Sequence, residues 1–102
     1  MLVETIGDSV ENRIIDFMIE GIGIDYTKKD IADNCNISRP TLYKNFPKLV
    51  RNGIIKPTRM IGNVQHYSVN TSNEKVKALL KLEEILLKGS FEEVEIRPAI
   101  KI

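Results

Sequence analysis

The chain has 102 residues, a formal net charge of +1, 42% hydrophobic residues and 28% charged residues, the profile of one globular domain with one modest, mainly aliphatic core. A single Cys and a single His exclude an internal disulfide and cannot by themselves build a zinc site. The early acids Glu4, Asp8 and Glu11 argue against a signal peptide, and no segment approaches the ~20 apolar residues of a membrane span, so a cytoplasmic protein without membrane contacts is expected.

The charge is unevenly spread. Residues 1–25 carry one Arg against six acids, net −5; residues 26–70 carry eight Lys and Arg against Asp30 and Asp33, net +6; residues 71–102 balance six against six. A basic middle on an otherwise non-basic chain points to a polyanion-binding face.

In chain order, Asp8-Ser9-Val10-Glu11 has capping-box spacing and opens a helix over about 9–20. Ile14, Ile15, Met18 and Ile19 share one face of it, flanked by Val10 and Phe17, and Gly21 ends it. Thr27-Lys28-Lys29-Asp30 repeats the capping pattern before a short helix over 28–35 that buries Ile31, Ala32 and Cys35. Asn36 suits the left-handed conformation of a tight turn, Ile37 turns back to the core, and Ser38 caps a third helix.

That helix is expected over 39–52, stopped by Gly53. Leu42, Phe46, Leu49 and Val50 form its core face. Pro40, Thr41, Lys44, Asn45 and Lys48 form the opposite face, with Arg39 at the tip and no acid among them. Pro47 lies inside it and costs ~3 kcal/mol in a helix interior. Two outcomes are open: a kinked helix held by its apolar anchors, or a helix that ends at Phe46 and a new turn that starts at Pro47.

Residues 54–70 place two β-branched runs around Gly62-Asn63, a hairpin with Pro57 on an edge strand and Tyr67 and Val69 facing inward. Thr71-Ser72-Asn73-Glu74 caps a helix expected to run to about Lys88, before Gly89. Its apolar residues (Val76, Leu79, Leu80, Leu82, Ile85, Leu86, Leu87) cover more than the ~100° stripe one small domain can bury, which predicts a second copy of the chain as partner. From residue 93 the tail alternates apolar and polar side chains. It reads as an edge strand pairing with residues 2–6 or across a dimer, or else as a disordered tail.

The order helix, helix, tight turn, helix, hairpin, helix carries a resemblance. Ala32 stands at the small position of a helix-turn-helix, Asn36 where that pattern usually has Gly, Ile37-Ser38 where it has Val-Ser, and Thr41-Leu42 where it has Thr-Val. Tyr67-Ser68-Val69 resembles the strand that closes a wing. The chain is similar, over residues 9–70, to winged helix-turn-helix transcriptional regulators of the broad MarR and ArsR class; the resemblance is loose for the last helix and does not reach the tail. The implied fold is mainly α with a small β-hairpin (α+β), a winged helix-turn-helix over 1–70 with an extra C-terminal helix and tail over 71–102 for dimerisation.

By physical chemistry, the major groove admits one helix, read from its N-terminal residues. Arg39, Thr41, Lys44 and Asn45 are residue types for base edges, and Lys48 and Lys28 or Lys29 for phosphates; Ser38 completes the DNA-binding set at the cap. The resemblance makes the hairpin a wing, with Arg59 as its phosphate or minor-groove contact. Cys35 and His66 read as packing or surface residues and Tyr43 as a flank residue. No Gly-rich phosphate loop, clustered ligands or nucleophile–base signature suggests an enzyme, and no cofactor or metal is expected. The expected function is sequence-specific binding of double-stranded DNA by a homodimer joined through residues 72–88, with 91–102 as a second dimer element. The alternatives are a winged-helix protein-docking module and a non-specific architectural or segregation factor.

Overall fold

The computed structural model of the chain describes residues 2–100, with side chains described through residue 89. Five helices and one hairpin follow in order: α1 (Leu2–Ile6), α2 (Val10–Glu20), α3 (Lys28–Cys35), α4 (Arg39–Arg51), β1 (Ile55–Ile61), β2 (Val64–Val69) and α5 (Glu74–Ile100).

Local chemistry sets most of these bounds. Thr27 Oγ1 accepts from the Asp30 N–H and the Asp30 carboxylate accepts from the Thr27 N–H, a complete capping box at α3. Asn36 ends α3 with φ 55° and ψ 47°, the one non-glycine left-handed residue among those described, and reverses the chain toward Ser38, which caps α4. Two expected caps move by one or two residues. Ser9, not Asp8, accepts from the Asn12 N–H and starts α2; Asp8 pairs with Arg13 at 2.6 Å instead. Asn73, not Thr71, accepts from the N–H groups of Lys75 and Val76 and starts α5. In each case the residue next to the first helical turn makes the shorter reach to the unpaired N–H groups.

The core is one cluster contributed by every element. Leu2 from α1, Ile14, Ile15, Met18 and Ile19 from α2, Ile31, Ala32 and Cys35 from α3, and Leu42, Phe46 and Leu49 from α4 meet Ile54, Ile55, Val69 and Val76. The apolar faces read from spacing are therefore the buried ones, with Val10, Phe17, Ile37, Val50 and Tyr67 partly buried against them. Gly21 is required by packing: a Cβ there would lie 2.2 Å from the Tyr26 hydroxyl oxygen, and the Tyr26 ring is held against Phe17 at 4.7 Å.

α4 is continuous through Pro47, so the two-helix alternative does not hold. Phe46 and Leu49, on either side of the proline, are both buried, and Pro47 faces solvent. The apolar anchors hold the two halves in one helix despite the missing Pro47 N–H.

The hairpin is antiparallel and turns at Gly62-Asn63, where Gly62 alone has positive φ (62°), as in a type II′ turn. Tyr26 extends the sheet on the far side of β2: its N–H donates to the Tyr67 carbonyl at 2.7 Å and the Tyr67 N–H donates back at 2.8 Å. Tyr67 therefore spends its backbone groups on Tyr26, and Pro57, its partner in β1, needs no N–H toward it. Between Pro57 and Met60 the register shifts by one: Thr58 and Arg59 together oppose His66, a bulge in β1.

Two expectations at the termini are corrected. Residues 2–6 form a helix, not a strand, and the backbone of residues 91–100 continues α5, not an alternating edge strand. With residues 2–6 helical, the strand partner expected at the N-terminus is absent, and continuing α5 satisfies the tail's backbone internally. A helical Gly89 costs only ~1 kcal/mol relative to Ala. Lys101 and Ile102 lie outside the described residues, as do the side chains from Ser90 on, including those assigned to a dimer contact.

Candidate nucleic-acid interface

From Asn34 to Asn73 the sequence contains no Asp or Glu, and this run covers the whole of α4 and the hairpin. α4 and the hairpin thus carry no acid of their own; the nearest acids along the chain are Asp30 and Asp33 on α3 and Glu74 at the start of α5. An acid from α2 does reach the α4 face: Glu11 accepts from Lys48 Nζ at 3.3 Å, with both side chains partly exposed. A surface pair of this kind contributes only ~0–1 kcal/mol, so Lys48 can exchange it for a phosphate at little cost.

The first turn of α4 is built around Ser38. Its Oγ accepts from the Thr41 N–H and donates to Thr41 Oγ1 at 2.8 Å, which fixes the Thr41 hydroxyl beside the helix tip. Asn45 is half-buried and donates its amide to the Thr41 carbonyl at 2.8 Å, so its donor folds back along the helix. Arg39 and Lys44 are exposed. Ser38, Arg39, Thr41, Lys44, Asn45 and Lys48 thus share α4 and its cap, as the sequence predicts.

Between α4, the start of α3 and the hairpin runs a groove of about 550 Å³, lined by Thr27, Lys28, Lys29, Arg39, Tyr43 and the hairpin residues Asn63 to Gln65, with Tyr67 at its floor. Lys28 Nζ lies 5.3 Å from the ring centre of Tyr43, 5.5 Å from Phe46 and 5.8 Å from Tyr67. A cation in the first turn of a helix is opposed by the helix dipole; the three aromatic faces offset this and hold the ammonium at the groove. Spacing alone could not single out Lys28, because the rings around it come from α4 and β2, fifteen and more residues away. Tyr43 is 52% exposed and serves as a groove wall, a role its flank position did not announce.

Arg59 lies apart from this set. The bulge turns Thr58 and Arg59 toward the loop before α3, where Asp25 accepts from Thr58 Oγ1 at 2.9 Å, from Arg59 Nε at 2.8 Å and from Arg59 Nη2 at 3.2 Å. These donors, Arg59 first, hold the Asp25 carboxyl below the ordinary carboxylate range, and Asp25 in turn raises the Arg59 guanidinium. The pair ties the hairpin to the body of the domain across 34 residues of sequence. Arg59 remains largely exposed, but two of its donating nitrogens are committed.

Cys35 and His66 are packing residues. Cys35 is buried in the core, 3.7 Å from the Arg13 carbonyl, and burial pushes its thiol up to about 11. His66 is half-buried opposite the bulge, with Nδ1 3.2 Å from the Val64 carbonyl. Among the described residues no group of three or more His, Cys, Asp or Glu could hold a metal ion, and no helix is long and apolar enough to cross a membrane.

No family model matches the chain, and no curated protein does. Solved structures do. The homodimeric winged helix-turn-helix DNA-binding domain of Mb0332 from Mycobacterium bovis, a candidate ArsR-family regulator, aligns over 81% of this chain and 71% of its own, with TM-score 0.57 and 20% identity. Reduced HlyU from Vibrio cholerae aligns over 83% of each chain, with TM-score 0.58 and 15% identity. MepR, a transcription regulator of the Staphylococcus aureus multidrug efflux pump MepA, aligns over 98% of this chain and 79% of its own, with TM-score 0.60 and 15% identity. The fold shared with these structures is the winged helix-turn-helix, with α3 and α4 as the helix-turn-helix and β1–β2 as the wing.

Proposed function

We propose that this winged-helix chain is a homodimeric, sequence-reading double-stranded DNA-binding protein of the cytoplasm, and a transcriptional regulator. The observation that carries the proposal is the acid-free outer face of α4 beside the Lys28–Lys29–Arg39 groove. α4 enters the major groove from its N-terminal end. Arg39 and Lys44 donate to guanine edges or adjacent phosphates, and Thr41 presents its methyl or hydroxyl to a neighbouring base. Asn45, with its amide nitrogen committed to the Thr41 carbonyl, contributes its carbonyl oxygen as an acceptor. Ser38 fixes the tip and shares the first-turn contact.

Lys28 and Lys48 hold phosphates on either side of α4 and set its register on the duplex. Arg59, pinned by Asp25, offers its remaining N–H groups to a phosphate at the base of the wing. α5 joins two copies through residues 72–88. Ile85 and Leu87 are exposed there, and Leu79, Leu80, Leu82 and Leu86 are only partly buried. A two-fold dimer places the two α4 helices on half-sites roughly 34–36 Å apart.

Selection of bound duplexes from a random pool at near-physiological salt tests the proposal. An enriched palindromic motif is expected. Retention without enrichment, steeply dependent on salt, would assign the chain to non-specific architectural binding. No retention would leave a docking module for another protein.

A further inference from the structure

The groove between α3, α4 and the hairpin holds more chemistry than a duplex backbone uses. Three cations, Lys28, Lys29 and Arg39, line it, and no Asp or Glu does. Asp30, the acid nearest to them in the chain, is turned back to the Thr27 N–H. The rings of Tyr43, Phe46 and Tyr67 surround the Lys28 ammonium, so a charge for a phosphate is in place before any ligand arrives.

Beside the cations stand groups that recognise something other than phosphate. Tyr43 lines the groove with its ring 52% exposed. The core does not require it there, because Leu42, Phe46 and Leu49 fill the buried positions of α4. On the hairpin wall are the amides of Asn63 and Gln65. Gln65 Nε2 donates to the carbonyls of Arg59 and His66, which leaves the Gln65 side-chain oxygen to act as an acceptor.

A duplex keeps its bases stacked inside and offers phosphates and sugars to such a groove. It engages the cations and leaves the Tyr43 ring idle. An unstacked base covers an aromatic face, which contributes about tenfold in affinity. The groove volume, about 550 Å³, falls in the range of small-molecule sites.

We propose that the groove is a binding site for a free nucleoside di- or triphosphate. Its phosphates lie on Lys28, Lys29 and Arg39, its base covers the Tyr43 ring, and the Asn63 and Gln65 amides face the base edge. Occupancy excludes a duplex phosphate from the same cations, so nucleotide and duplex compete. Nucleotide binding stands on the groove alone; the competition rests on the DNA-binding function proposed above.

The test titrates the full chain with ATP, with inorganic tripolyphosphate and with adenosine, followed by backbone amide signals in NMR spectra. ATP is expected to bind with a Kd on the order of 100 μM, with shifts centred on the groove, and each half-ligand about tenfold more weakly. Tyr43→Ala, its fold verified by thermal melting, should lower ATP affinity about tenfold and leave tripolyphosphate unchanged, whereas Lys28→Gln should weaken both. ATP should displace bound duplex at concentrations that fill the groove. Tripolyphosphate that binds as tightly as ATP, or Tyr43→Ala that binds ATP like the parent, overturns the site in favour of general attraction of polyanions to a basic face. No binding at millimolar ATP overturns it and leaves the DNA-binding function standing. ATP and duplex bound together overturn the shared groove. ATP bound by a chain that retains no duplex supports the nucleotide site and overturns the DNA-binding function.

Discussion

α4 and α5 are both helices with a large exposed surface, and the two exposures mean different things. α4 buries Leu42, Phe46 and Leu49 on one face and offers Arg39, Thr41, Lys44 and Lys48 on the other; its apolar residues are accounted for within one chain. Among the described residues of α5 only Val76 is fully buried, while Ile85 and Leu87 stay exposed and Leu79, Leu80, Leu82 and Leu86 are partly buried. Water is a good solvent for the first surface and a poor one for the second. The first is therefore free to wait for a charged ligand, whereas the second drives association as soon as a complementary apolar surface is available.

The sharpest way to break this contrast is to make α5 resemble α4. Ile85→Asp with Leu87→Asp touches only exposed positions, so the monomer fold should survive. Sedimentation should then give a single-chain mass, and affinity for a two-half-site duplex should fall on the order of 100-fold, because the second half-site is no longer tethered to the first. Charge reversal of α4 is the converse: Arg39→Glu with Lys44→Glu should leave mass and melting temperature unchanged and reduce duplex affinity about thirtyfold, measured by fluorescence anisotropy, with a shallower salt slope. If that variant binds as well as the parent, the acid-free face of α4 is not the contact surface.

Pro47 inside α4 and Asn36 at the end of α3 both occupy positions with a backbone cost, and the difference is instructive. Pro47 is straddled by the buried Phe46 and Leu49, and packing overrides its cost. Pro47→Ala restores an N–H for the Tyr43 carbonyl and should raise unfolding stability by up to about 3 kcal/mol in denaturant titrations. If duplex affinity falls while stability rises, the proline at position 47 serves binding. Asn36→Ala is the opposite case, a left-handed position where Cβ sterics should cost about 1–2 kcal/mol, whereas Asn36→Gly should be close to neutral.

The smallest effect concerns Asp25. Its carboxyl is depressed in the folded protein, so the stability it contributes is present above the unfolded-state value of 3.8 and is lost as pH falls through the lower folded value. Asp25→Asn should remove that acid-side dependence and broaden the backbone amide signals of Thr58 and Arg59 in NMR spectra at neutral pH, with little change in global melting.

Legibility in the sequence follows the range of the interaction. α2 through β2 could be read because short-range chemistry marks their ends: the Thr27–Asp30 box, the left-handed Asn36, the Ser38 cap, the Gly62 turn. That the proposed contact residues share α4 was legible for the same reason, since one helical period places them together. α1 was missed because five residues before Gly7 cannot display a helical period. The tail was misread because its period-2 pattern is a strand signal only where a partner edge exists, and residues 2–6 do not supply one. The Asp25–Arg59 tie and the aromatic surround of Lys28 could not be seen, since both join residues whose proximity is created by the fold.

The bulge at Thr58 and Arg59 has one more consequence, for how such a wing can change length. Successive residues of a strand point to opposite faces, and the bulge inserts a single extra residue into β1, so everything beyond it has the parity that the insertion sets. Removing one of the pair would turn Met60 and Ile61 over and abolish the tie to Asp25. Adding two residues to each strand beyond it would preserve parity and carry the tip about 7 Å further out. The wing thus behaves as a ruler with a two-residue graduation: its reach can be adjusted in steps while the chemistry at its end stays the same.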